Sequence, residues 1–214
     1  MTTKKHIEFD KKEYDEIDRY CKEIGIRWTA SVWDEDSLEF LLQYDIPFIK
    51  IPSAIIKNTD LLNKIAKTNK KVIISTGMSK CFDILNAVSL FDRNNILCVM
   101  HCVSNYSNDI NNSNIINIYN LKKLLGNIEI GYSAHNNDEM ITCMCIGMGI
   151  KFIEHHFTLN NNDYGTDQKI SILPHQLKTI KHYLNNIDNI IGIPRKMNDM
   201  YDCEKMVSKK LIKN

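Results

Sequence analysis

Two histidines and the strands that end on them are the residues here whose types and spacing most directly suggest chemistry. His135 closes the stretch IEIGYSAH, and His156 closes GIKFIEHH, 21 residues further on. Between them Asp138–Met148 repeats apolar residues at helical spacing (Met140, Ile141, Met144, Cys145, Met148), and Gly149 stops the helix. Flanked by predicted strands Glu129–Ser133 and Ile150–His156, this is a βαβ unit, so the strands should lie parallel and adjacent with their carboxyl ends on one face. Two imidazoles converging there could hold a divalent metal. The alternative is that each ring caps its strand with a hydrogen bond. Glu154 shares the strand face of His156, where it could hold a water or a hydroxyl, or move a proton. His155 faces the other way and stays outside the ligand set.

Lys50 lies inside the apolar run PFIKIP, where a lysine is costly unless an anion meets it or its stem carries the charge to the surface. Ser75-Thr76-Gly77 places a hydroxyl and backbone N–H groups at a strand end, which makes either a small anion nest or an ordinary strand-to-helix turn. Asp167 sits in a loop and reads as a ligand contact or as an Asx-turn. Of seven cysteines, Cys98, Cys102, Cys143 and Cys145 fall in apolar patterns and read as small core residues. No C-x-x-C pair is present, which argues against a zinc ribbon or a thioredoxin-like centre, and a catalytic thiol at Cys102 has no evident base partner.

The elements that must position these groups follow from periodicity. Residues 10–24 form an amphipathic helix stopped by Gly25. Ile26–Ser31 reads as a strand, and Trp33–Tyr44 as a helix with acidic residues in its first turn. Strands follow at Pro47–Pro52, Lys71–Ser75 and Ile96–Val103, with helices at Leu61–Lys67, Cys81–Phe91 and Asn114–Leu125. After the βαβ unit, a last helix runs from Pro174 to Asn185, with proline at its first turn. Six buried strands, each followed by a helix, give an α/β protein with a parallel sheet. The 214 residues carry a net charge of +1, which favours neither nucleic acid nor an anionic membrane as partner. No apolar run reaches the roughly 20 residues of a membrane span, and the N-terminal residues lack a signal-peptide core, so a cytoplasmic location is expected.

GYSAH, GIKFIEHHFTL and YGTDQKISILP together resemble the sialic acid synthase family, the N-acetylneuraminate synthases with their legionaminate and pseudaminate relatives. The family pattern is GYSDH, GA-x-x-IEKHFTL and G-P-D-H-x-x-SL-x-P. The resemblance implies a TIM-type (β/α) barrel that condenses phosphoenolpyruvate with an N-acylated hexose such as N-acetylmannosamine. It implies that His135 and His156 hold a divalent cation, usually manganese, with magnesium or cobalt as alternatives, and that Glu154 works beside them. Lys50 and Ser53 match K-I-x-S-G-E, whose lysine and serine bind the phosphate and carboxylate of phosphoenolpyruvate. Ser75 matches the family's STGM, Ser31 stands at the threonine of S-T-P-F, and Ser133 is retained. Ser104 and Tyr106 match HC-x-S-x-YP, and Asp167 matches an aspartate that contacts the acceptor sugar.

The departures are Ile55 for the acceptor-contacting glutamate, Ala134 for the aspartate of GYSDH, Ser107 for proline and His155 for lysine. On the family barrel the predicted strands are strands three to eight. The first two β/α units are missing, with their strand-one glutamate and Lys-x-Gln, as is the antifreeze-like domain. A full barrel takes about 250 residues. Residues 1–193 are therefore expected to form a partial barrel and 194–214 a loosely held basic tail. The expectations are a nonulosonic acid synthase, a degenerate sugar- or metal-binding barrel, or one part of a split synthase. Open sheet edges predict association, as a homo-oligomer or with a complementing chain.

Overall fold

The computed structural model describes residues 8–105, 109–192, 201, 204–205 and 207. Its centre is a five-stranded, all-parallel sheet in sequential order: β1 (Ile49–Ile51), β2 (Val72–Ser75), β3 (Ile96–Cys102), β4 (Ile130–Ala134) and β5 (Ile153–His155). Helices cover its outer face: α1 (Lys11–Ile24), α2 (Glu35–Leu41), α3 (Thr59–Lys67), α4 (Cys81–Ser89), α5 (Asn117–Leu125), α6 (Glu139–Gly147) and α7 (Pro174–Ile191). The sheet curls into a half-barrel. Local chemistry sets the helix ends: Asp10 and Glu13 form a capping box on α1, and Gly25 closes it at φ 72°. Pro174 occupies the first turn of α7, which continues to Ile191, beyond the predicted Asn185.

The strands alternate between two surfaces, as a period of two requires. Ile49, Ile51, Val72, Ile74, Val99, Ile130 and Tyr132 pack outward against the helices in the main core. Ile73, Cys98 and Met100 face inward with Phe48, Leu97 and Phe152 as a smaller second cluster. Gly131 is required on this inner side, because a Cβ there would meet Cys98 Sγ at 2.7 Å and the Phe152 carbonyl at 2.8 Å. Towards the carboxyl ends the inward positions turn polar.

The predicted strand Ile26–Ser31 does not form, so the sheet has five strands rather than six. Its only backbone pairing among the described residues is a parallel bridge from Ser31 to Lys50. Thr29 Oγ1 donates to the Phe48 carbonyl at 2.7 Å, so a side chain fills an acceptor that a ladder N–H would use. Ile26 is solvent-exposed. At the other margin a second isolated bridge joins Phe157 to Ile172. The tail and the beginning of the chain lie largely outside the described residues. No helix among those described is long and apolar enough to cross a membrane.

Candidate active site

The carboxyl ends of the strands enclose a pocket of about 310 Å³. Ser31, Lys50, Ser53, Ser75, Ser104, Ser133, His135, Glu154 and His156 all line it, so nine of the eleven singled-out residues converge from six segments of chain. Tyr106 falls outside the described residues. Asp167 does not line the pocket and stands beside one of its histidines instead.

Lys50 is buried, which rules out the surface-reaching alternative. Its Nζ donates to Ser75 Oγ at 2.6 Å and lies 3.4 Å from Glu154 Oε1. The hydroxyl of Ser133 donates to the other oxygen, Glu154 Oε2, at 2.6 Å. Parallel register explains the chain of contacts: Ser133 pairs with Glu154 across β4 and β5, and Cys102 with Ser133 across β3 and β4. A cation, an anion and two hydroxyls are thus pre-set around one space.

In the turn after β2, two of the N–H groups weighed for an anion nest already have partners. Thr76 N–H donates to the Met100 carbonyl, and Gly77 N–H donates to Ser53 Oγ at 3.0 Å, so both donors are spent. The glycine serves closeness: a Cβ at position 77 would stand 2.2 Å from Ser104 Oγ and 2.8 Å from Ser53 Oγ. Ile55 is buried in the main core, so the position of the family glutamate faces away from the pocket. Ala54, beside it, is on the wall.

The two histidine rings lie 5.3 Å apart between centroids, inclined at 52°. His135 Nδ1 is 3.6 Å from Cys102 Sγ, and His156 Nδ1 is 3.5 Å from Asp167 Oδ2. Burial holds His156 below the usual histidine range, against the pull of Asp167. For His135, burial is outweighed by the hydrogen bond and charge of Cys102 and by Glu154, and its pKa is raised. Burial raises the Cys102 thiol, but His135, Ser53 and Ser104 together bring it below its ordinary value. The thiol therefore does have an imidazole partner, which only the fold reveals. Its position two residues before Ser104, on the inward side of β3, was the available signal. His155 points outward as expected, with Nε2 2.6 Å from Thr142 Oγ1, and burial pushes it down to about 4.

Two imidazoles set this way suit a divalent cation with open coordination positions. Among the described residues no group of three or more His, Cys, Asp or Glu side chains could hold an ion by itself. A cation here would take its remaining ligands from substrate oxygens and water. Trp33 and Met78, neither anticipated, form an exposed apolar rim, and Met78 is held at φ 58°.

Fold and site together define a half-barrel of the TIM type whose pocket, at its carboxyl face, gathers a buried lysine, hydroxyls and two imidazoles. The chain belongs to the NeuB family, whose profile matches residues 1–196. It is 35% identical over 185 residues to the N-acetylneuraminate-9-phosphate synthase of Drosophila melanogaster, covering 86% of this chain and 50% of that protein. It is 32% identical over 190 residues to the N,N'-diacetyllegionaminic acid synthase of Campylobacter jejuni, covering 87% of this chain and 57% of that protein. The crystal structure of the sialic acid synthetase of Leptospira borgpetersenii superposes with a TM-score of 0.82 at 28% identity, covering 95% of this chain and 71% of that one. A truncated 3-deoxy-D-arabino-heptulosonate 7-phosphate synthase from Thermotoga maritima, at 18% identity and a TM-score of 0.72, shares the fold. The chain spans half to three-fifths of the length of these curated relatives.

Proposed function

We propose that this chain carries the active site of a cytoplasmic nonulosonic acid synthase. The reaction condenses phosphoenolpyruvate with N-acetylmannosamine or a related N-acyl hexose and releases phosphate. The observation that supports this most is the convergence of buried Lys50 and five serines on the same pocket as His135, His156 and Glu154. Phosphoenolpyruvate carries two anionic groups, and Lys50 with the hydroxyls of Ser31, Ser53, Ser75, Ser104 and Ser133 supplies charge and hydrogen bonds for them. His135 and His156 would hold the divalent cation, which supplies Lewis acidity to the acceptor aldehyde.

The enol carbon of phosphoenolpyruvate forms a bond to the aldehyde carbon, whose oxygen takes up a proton. Water adds to the oxocarbenium carbon left behind, and the tetrahedral adduct collapses with departure of inorganic phosphate. Glu154, held by Ser133 and facing Lys50, is placed to take the proton of the incoming water. The test is phosphate release from phosphoenolpyruvate by the purified chain with manganese and N-acetylmannosamine. Release that chelation and His156→Ala both abolish supports the reading. A folded, manganese-binding chain that releases none overturns stand-alone activity.

A second reading is favoured by the sheet margins. The segment Thr29–Ser31 on one side and Phe152–Glu154 on the other line a common cleft of about 300 Å³, floored by Phe48, Ile73 and Met100. In a closed eight-stranded barrel the interior is filled with side chains, so this cleft is space that the inward side chains of further parallel strands, added between the two margins, would fill. On this reading turnover needs two more β/α units, whichever polypeptide supplies them. Adding the first two units of the Campylobacter jejuni relative should then raise phosphate release. A degenerate binding barrel would stay silent.

A further inference from the structure

The histidine pair is held from behind by different means, and one of them has a role that the sugar-contact expectation does not include. The geometry points to Asp167 as a positioning residue for the cation site, engaging His156 at Nδ1 so that this ring would ligate through Nε2. This rests on the metal reading above. Asp167 Oδ2 lies 3.5 Å from His156 Nδ1, and Asp167 is absent from the wall of the pocket that His156 lines. The carboxylate therefore meets the ring at Nδ1 and is not among the groups that line the pocket.

The loop that carries Asp167 is tied to the strand end that carries His156. Ile172 N–H donates to the His156 carbonyl at 2.9 Å, and Thr158 N–H donates to the Ile172 carbonyl at 3.0 Å. Ser171 Oγ–H donates to the Asp167 carbonyl at 2.7 Å, and Asn161 Nδ2 donates to the carbonyls of Gln168 and Ser171. These bonds join the backbone around the aspartate to the strand end of the histidine. On the neighbouring strand, His135 Nδ1 faces Cys102 Sγ at 3.6 Å, so both rings are engaged at the same nitrogen. A neutral imidazole that donates Nδ1–H to a carboxylate carries its lone pair on Nε2, and such a partner fixes tautomer and ring angle together.

Direct Mn²⁺ titration of the full chain, by electron paramagnetic resonance of the unbound ion, separates the outcomes. If Asp167 positions His156, Asp167→Ala weakens Mn²⁺ binding about 10- to 100-fold, the usual effect of losing such a partner. Asp167→Asn, which keeps a carbonyl acceptor without the charge, recovers part of that loss. Mn²⁺ affinity unchanged in a folded Asp167→Ala chain, with only the KM for the sugar raised, overturns the proposal and leaves the metal reading standing. If the unaltered chain and His156→Ala bind Mn²⁺ alike, the metal reading falls and takes the proposal with it.

Discussion

Lys50 concentrates the chemistry of this chain into one side chain. A lysine in the inner layer of a parallel sheet is tolerable because Ser75 Oγ accepts a hydrogen bond from its Nζ at 2.6 Å and Glu154 lies 3.4 Å away. Such groups serve a ligand better than they serve stability, since replacing both partners of a buried ion pair by apolar side chains is often neutral or stabilising. Lys50→Met removes only one partner, and because Glu154 is 41% exposed and keeps its bond from Ser133 the cost is expected to stay at about 1–3 kcal/mol of unfolding free energy while abolishing phosphoenolpyruvate binding. Urea melts beside a calorimetric titration with phosphoenolpyruvate check both halves. Gly77 makes a different demand. Gly77→Ala must turn Ser53 and Ser104 away, so substrate binding should weaken tenfold or more for about 1 kcal/mol of stability.

At the scale of elements, what matters is how closely β3, β4 and β5 approach one another inside the half-barrel. A methyl on Gly131 would press on the Phe152 backbone carbonyl, which cannot rotate away as a serine can. Gly131→Ala should cost about 1–3 kcal/mol by spreading β4 from β5, seen as a lower urea midpoint. The same strands bury His101, whose Nε2 is 2.9 Å from the Ser113 carbonyl and whose pKa burial lowers. The unfolded chain takes up a proton near its ordinary value of about 6.5 that the folded chain refuses. Stability from this group is complete above that pH and falls as pH drops through it. The stability difference between the parent chain and His101→Gln should narrow between pH 7.5 and 5.5. A gap that stays constant would show that His101 titrates normally.

For the molecule as a whole, ligation and closure are the open levers. A cation that binds only the folded state adds about 2.7 kcal/mol at a hundredfold excess over its dissociation constant. Manganese should then raise the melting temperature by roughly 5–10 °C for a chain of this size. Chelation, or His156→Ala, should remove the shift. The cleft between the two sheet margins carries the companion expectation that an added two-strand segment raises both melting temperature and turnover.

Much of this was legible in the residues alone. Alternation put Glu154 on the strand face of His156, because a strand's period of two is local geometry. Continuous apolar strands separated by capped helices determined a parallel sheet, and parallel strands determined a common carboxyl end. Tertiary structure decided what depends on contacts distant in sequence. It showed that Ile26–Ser31 lies beside β1 with a single bridge, Ser31 to Lys50, and no ladder among the described residues, the Phe48 carbonyl being taken by the Thr29 side chain. It set Cys102 against His135, 33 residues away, and Asp167 3.5 Å from His156 Nδ1. Side-chain type and spacing specify which groups reach a site. Which nitrogen of a ring is engaged, and by what, is a matter of ångströms between segments that only the folded chain brings together.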